Sequence, residues 1–230
     1  MDFNISEELT SVKGLAQQIL NDFTAVDQLK AVDQQDQRFD PALWQALAEA
    51  GLLGLDIEET FGGTDLGYYA LTVLCEEVGR TVAPAPVVPV LVGAAGTIRR
   101  YASIKQKEAW LKGIAEGSLQ ISAALEEYAN DDPTQPTASA AKTEGGYALS
   151  GTKICVSQAT TARRILLSAR NGDELVVALI DPRAAGIELT PQVVTSGETL
   201  HELAMNSVQV PDEDIIAVGA KALEAMQWAQ

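Results

Sequence analysis

The 230-residue chain has one histidine, two cysteines and half as many basic as acidic side chains, 16 Lys and Arg against 32 Asp and Glu. Each scarcity excludes something. The net charge of −16 repels phosphate backbones and leaves no basic stripe, which argues against nucleic-acid binding. An anionic small ligand is still allowed, because backbone N–H groups and one or two local cations can hold a phosphate against the global field. Cys75 and Cys155 lie far apart with no CxxC or His-rich partner sequence, so both read as reduced structural residues. Any Ser-His-Asp triad or metal–histidine site would depend on His201 alone, and that residue reads as a half-exposed strand histidine. No apolar run of about 18 uncharged residues is present to span a bilayer. The start, Met1 to Glu8, lacks the basic and apolar stretches of a secretory signal. The expected location is therefore the cytoplasm, and the Asn4-Ile5-Ser6 triplet carries no meaning as a glycosylation acceptor.

What is present is ample apolar content, 47% of residues, arranged with two successive periodicities. Leu9, Val12, Leu15, Ile19, Leu20 and Phe23 recur at spacings of three and four, predicting a helix from Ser6 to about Val26 with Ser6 as its cap. Asp40-Pro41 opens a second helix carrying Leu43, Trp44 and Leu47, and Gly51 stops it. A third carries Leu71, Leu74, Cys75 and Val78. A fourth, Pro86 to Tyr101, is apolar on most sides and so is expected to lie between other elements. Ser103 caps a fifth, closed by Gly117.

Beyond Gly117 the period falls to two. Leu119–Glu127, Thr137–Thr143, Tyr147–Ser157, Arg164–Ala169, Glu174–Asp181, Ile187–Val194 and Leu200–Val210 are strand-like runs, with turns at Asn171-Gly172-Asp173, Asp181-Pro182 and Ser196-Gly197. This spacing predicts an antiparallel barrel or sandwich of about seven strands. Past Pro211 the pattern is helical again, with a helix expected over Gly219–Gln230. The fold class is α+β: a helical domain over 1–117, a β domain over 118–217 and the start of a further helical domain over 218–230.

Few residues suggest chemistry by type and spacing. Gly62-Gly63-Thr64-Asp65-Leu66-Gly67 has the wrong glycine spacing for a dinucleotide loop and reads as a turn between helices. Adjacent Glu126 and Glu127 on one strand point to opposite faces, so they cannot act as a carboxylate pair. Asn130-Asp131-Asp132 could offer hard oxygen ligands to calcium, but without EF-hand spacing it reads as a solvated loop. Gly145 to Ala159 reads as two short strands turned at Ser150-Gly151, with a small hydroxyl residue, Ser157, at the edge.

Five segments in order, FDPALWQALAEAGLLGLDIEETFGG (39–63), EEVGRTVAPAPVV (76–88), KQKEAWLKGIAEG (105–117), GGYALSGTKICVS (145–157) and VQVPDEDII (208–216), resemble the acyl-CoA dehydrogenase family over essentially the whole chain. The chain is most similar to small subunits of bacterial heteromeric members, such as those of pimeloyl-CoA dehydrogenases. The resemblance implies a helical domain, a β domain and a C-terminal four-helix bundle, the last missing from these 230 residues, with FAD between the β domain and the bundle. It also implies α,β-dehydrogenation of an acyl-CoA thioester, with a carboxylate removing the α proton and flavin N5 taking the β hydride. Partners implied are the acyl-CoA, an electron-transfer flavoprotein or similar acceptor, and further subunits in a homo- or hetero-oligomer.

Site residues follow from matching segments. Where the family reads Leu-Thr-Glu-Pro then Gly-Ser-Asp, this chain reads Leu125-Glu126-Glu127-Tyr128 then Asn130-Asp131-Asp132; where the family reads Lys-x-Trp-Ile-Thr, it reads Lys153-Ile154-Cys155-Val156-Ser157. The resemblance thus implies a cofactor wall of Leu125, Glu126, Cys155, Val156 and Ser157. Ser157 keeps the hydroxyl expected near flavin N5, Glu126 replaces the threonine that donates to the pyrimidine, and Cys155 replaces the aromatic covering the ring, with a loss of buried contact area. The resemblance places the catalytic base in the C-terminal domain, so none is assigned here. Three functions stay open: a dehydrogenase-like flavoprotein, a non-catalytic partner of a catalytic paralogue, and a flavin monooxygenase on the same fold.

Overall fold

The computed structural model describes residues 6–230, so Asn4 and Ile5 of the acceptor-like triplet lie outside the described residues. Ser6 caps α1 (Glu7–Phe23), its Oγ accepting from Leu9 N at 3.2 Å, and Val12, Ala16 and Leu20 recur every fourth residue on the buried face. A short helix α2 (Val26–Val32) follows that apolar spacing did not announce. Asp40 opens α3 (Pro41–Glu49) by accepting from Ala42 N at 2.9 Å and Leu43 N at 3.1 Å, and Gly51 leaves it at φ 74°. Asp40→Ala removes the acceptor for both amides and is expected to cost about 1 kcal/mol in urea denaturation; an unchanged midpoint would show that solvent caps α3 equally well.

Helix α4 (Tyr68–Thr81) packs on α1. The apolar run after Pro86 is buried as expected, but it winds as a wide π-helix over Val88–Ala95 before α5 (Gly96–Tyr101). Pro89 has no N–H to donate there. Helix α6 (Ile104–Ala115) carries a reciprocal cap between Ser103 and Gln106.

Eight strands form one sheet in the order β6-β7-β3-β2-β4-β5-β8, with β1 added on β4. These are β1 (Ile121–Ala124), β2 (Ser139–Thr143), β3 (Gly146–Ser157), β4 (Arg164–Asn171), β5 (Glu174–Ile180), β6 (Ile187–Gln192), β7 (Leu200–Pro211) and β8 (Ile215–Val218). Three expectations are corrected. The eighth strand lies in the stretch read as helical past Pro211. β1 runs parallel to β4, so the sheet is not wholly antiparallel. The hairpin turns at Glu144-Gly145 rather than at Ser150-Gly151, which lies inside a continuous β3. Gly151 marks a bulge, with φ 136° and space for no Cβ, since one would sit 2.8 Å from Ala138 Cα.

Strands β4 and β5 are buried along most of their length because both of their faces are covered. Leu166, Val177 and Leu179 join the core of the helical domain, while Ile165, Leu167, Val176 and Ala178 close the β core. Helix α7 (Ala220–Ala229) adds Ala222, Ala225 and Met226 to the helical core. Its Trp228 lies where a Cβ on Gly96 would sit, with the Arg100 guanidinium 4.1 Å from its ring centroid.

Candidate cofactor-wall site

The two segments singled out by sequence meet at the end of β1. Glu126 and Ile154 form an antiparallel bridge, with Ile154 N donating to Glu126 O at 3.0 Å. Glu127, only 4% exposed, turns inward, and Glu126 outward, as the strand alternation required. The Glu127 carboxylate accepts from fully buried Lys153 Nζ at 2.8 Å, from Thr137 N at 2.6 Å and from Ala138 N at 3.1 Å, as well as from the Thr137 hydroxyl. This pair pins the segment after β1 to β3 and β2. It was not foreseen; a lysine inside an otherwise uncharged strand was the one signal for it.

Burial alone would raise the Glu127 carboxyl, but the donors from Lys153 and Thr137 together outweigh it and hold the group at about 2, against an ordinary 4.5. Burial likewise pulls the Lys153 ammonium down, opposed by Glu127. The unfolded chain takes up this proton near pH 4.5 and the folded chain only near 2, so the Glu127 contribution is complete above 4.5 and is lost as pH falls from 4.5 towards 2. That loss amounts to about 3 kcal/mol. Chemical denaturation across this window checks it, and Glu127→Gln should remove that part of the acid dependence.

Beyond Lys153 the strand register slips: Lys153 pairs with Leu203 but Val156 with His201, so one extra residue is accommodated, and Cys155 adopts φ 56°. The bulge turns Ile154 and Cys155 outward between two buried neighbours. Cys155 N donates to Gln192 Oε1 at 2.8 Å, from the end of β6. Burial and the neighbouring Glu126 carboxylate both push the Cys155 thiol up, the opposite of what a nucleophilic cysteine needs. Gln192 had no signal in the sequence, because only the sheet order brings it to β3.

Each implied wall residue has a definite place. Glu126 is exposed on the outer side, Leu125 packs against the helical core, and Val156 is buried in the β core, leaving only its backbone for a ligand. Ser157 lies at the rim beside Gln158, Pro86, Glu198 and Thr199, and its carbonyl accepts from the Ser122 hydroxyl. Tyr128 crosses to β7, donating its hydroxyl to the Glu202 carboxylate, which raises its own pKa.

The remaining candidates are structural. His201 is 5% exposed rather than half-exposed, because it shares the inward face of β7 with Leu203 and Met205. Burial lowers its pKa, and Nδ1 has no hydrogen-bond partner among the described residues. No group of His, Cys, Asp and Glu among the described residues could hold a metal ion. In the Asn130-Asp131-Asp132 loop the Asp132 carboxylate is engaged by Thr134 and Gln135. Both cysteines are free, and Gly62 closes a turn between helices at φ 85°.

The family model for the acyl-CoA dehydrogenase N-terminal domain matches residues 6–118. The chain belongs to the acyl-CoA dehydrogenase family. "Acyl-CoA dehydrogenase FadE28" of Mycobacterium tuberculosis is 32% identical over 174 residues, covering 76% of this chain and 49% of that protein. Among solved structures, the "Tcur3481-Tcur3483 steroid ACAD G363A variant" is 38% identical with a TM-score of 0.88, covering 97% of this chain and 60% of that one. The ChsE4-ChsE5 complex from M. tuberculosis is 25% identical with a TM-score of 0.90, covering 100% and 61%. A Bacillus anthracis acyl-CoA dehydrogenase complexed with FAD, 19% identical, shares the fold at a TM-score of 0.86, covering 98% and 40%. The chain spans about half the length of the curated relatives it matches. No helix among the described residues is long and apolar enough to cross a membrane.

Proposed function

We propose that this acyl-CoA dehydrogenase family chain is a subunit of an FAD-dependent assembly that desaturates an acyl-CoA thioester at its α,β bond. The observation that supports this reading is the paired wall: the Glu126–Ile154 bridge and the Glu127–Lys153 clamp bring Leu125–Glu126 and Cys155–Ser157 side by side at one rim. FAD, when bound, supplies the hydride acceptor; the residues of this chain supply the rim that orients it, with the Ser157 hydroxyl at one end. An electron-transfer flavoprotein or similar acceptor would reoxidise the assembly, in the cytoplasm.

The rim suits a flavin at Ser157 but not at the pyrimidine end. The flavin offers two carbonyl oxygens that need donors, and the ionised Glu126 side chain is an acceptor only. Cys155 adds no aromatic cover, and its N–H already belongs to Gln192. These observations favour a second, narrower reading, in which the chain is the non-catalytic partner of a catalytic paralogue. The two-component names of the Tcur3481-Tcur3483 and ChsE4-ChsE5 structures are consistent with such an arrangement.

Absorbance of the full-length protein, purified alone and co-expressed with an acyl-CoA dehydrogenase paralogue, separates the two. The partner reading expects a colourless chain alone and a yellow complex bleached by anaerobic acyl-CoA. Bleaching of the chain alone would favour an independent flavoprotein instead. A complex unaffected by straight-chain and steroid acyl-CoA thioesters alike would overturn both; the steroid is included because the 38%-identical structure is named for it.

A further inference from the structure

We infer that Gln192 is a latch that closes this chain's own flavin rim, a deepening that rests on the partner-subunit reading above. A flavin docked edge-on against a strand needs unpaired donors, since its carbonyl oxygens leave water and must be met by N–H or O–H groups. Four of the rim's donors are spent inside the protein. Ile154 N–H is bonded to Glu126 O at 3.0 Å, Glu127 N–H to Asn130 O at 2.8 Å, Cys155 N–H to Gln192 Oε1 at 2.8 Å and the Tyr128 hydroxyl to Glu202. The Ser157 hydroxyl makes no hydrogen bond among the described residues.

Of these bonds, two are made to side chains outside the two wall segments, Glu202 and Gln192, and only Gln192 takes a backbone N–H of the wall. Gln192 ends β6 opposite Leu200 of β7, and Leu200 in turn lies opposite Ser157 of β3, so the carboxamide reaches across β7 to the bulge. There it engages a non-glycine residue in the left-handed conformation, which a chain keeps only where its surroundings impose it. Gln192 therefore does two things through one bond: it stabilises the bulge at Cys155 and removes that N–H from the rim. Glu126 completes the closure by placing a carboxylate where a donor is required.

Two measurements on the full-length chain test the latch. Amide exchange should show the Cys155 N–H protected in the wild type and at least tenfold faster in Gln192→Ala, with Gln192→Glu, which keeps an acceptor, close to wild type. FAD titration followed by quenching of free flavin fluorescence should show no saturable binding to the wild type or to Glu126→Thr at micromolar FAD, and saturable binding to Glu126→Thr/Gln192→Ala. Unchanged exchange at Cys155 in Gln192→Ala, or equal binding by Glu126→Thr with and without Gln192, overturns the latch while leaving the partner reading intact. Stoichiometric FAD on the wild-type chain overturns the partner reading itself.

Discussion

Lys153→Met is expected to lower the stability of the folded chain by about 3–5 kcal/mol, because it leaves the Glu127 carboxylate buried without its counter-charge. The ammonium is fully buried and stands 2.8 Å from a carboxylate that is itself 4% exposed, so water cannot replace it without opening the β domain. The Thr137 and Ala138 donors remain, but they bring no positive charge. Lys153→Met/Glu127→Gln removes both charges together and should recover a large part of the loss, since a neutral buried pair carries a smaller desolvation cost. Urea denaturation of the two variants and the wild type checks this. A double variant as unstable as the single one would show that the pair acts through packing rather than charge. The expected effect is local in origin and global in result: the pair joins β3 to the chain between β1 and β2, and without it the rim has no fixed floor.

Gly63→Ala is expected to cost about 3 kcal/mol, at the upper end of overpacking effects. An added Cβ would stand 2.0 Å from Ile57 O and 2.5 Å from Ile57 C, both backbone atoms that cannot rotate away. Ile57 O also accepts from Asp65 N at 3.0 Å, so displacing it loosens the same connector a second time. Gly14→Ala is the matched control. It lies within α1 with nothing within 4 Å of its built Cβ, and it should raise stability by about 0.5–1 kcal/mol. Thermal melts of both variants read the contrast, and a Gly63→Ala midpoint within error of wild type would refute the close approach.

The helical domain was readable because its signals are local. Ser6, Asp40 with Pro41, Gly51 and Ser103 act on amides within a few residues, so their chemistry is complete in a short window. The β domain was readable in strand positions but less so in pairing. Ser150-Gly151 carries the composition of a turn, and only the length of β3 against both β2 and β7 makes it a bulge. β8 was hidden because a four-residue strand has too few alternations to register, and its pairing with β5 is non-local. His201 was placed on the right strand, but its burial depends on the elements that cover the inward face of β7.

By itself the sequence determined the α+β class, the helix caps, most strand positions and, through its ordered segments, membership of the acyl-CoA dehydrogenase family. Those properties rest on short-range hydrogen bonding, on side-chain periodicity and on residue order. The tertiary structure alone decided how the two matched segments are held together. Glu127 meets Lys153 across 26 positions and Gln192 meets Cys155 across 37, and contacts at that separation exist only once sheet order and register bring the strands together. Burial then sets their strength, since the same carboxylate and ammonium in water would be worth little.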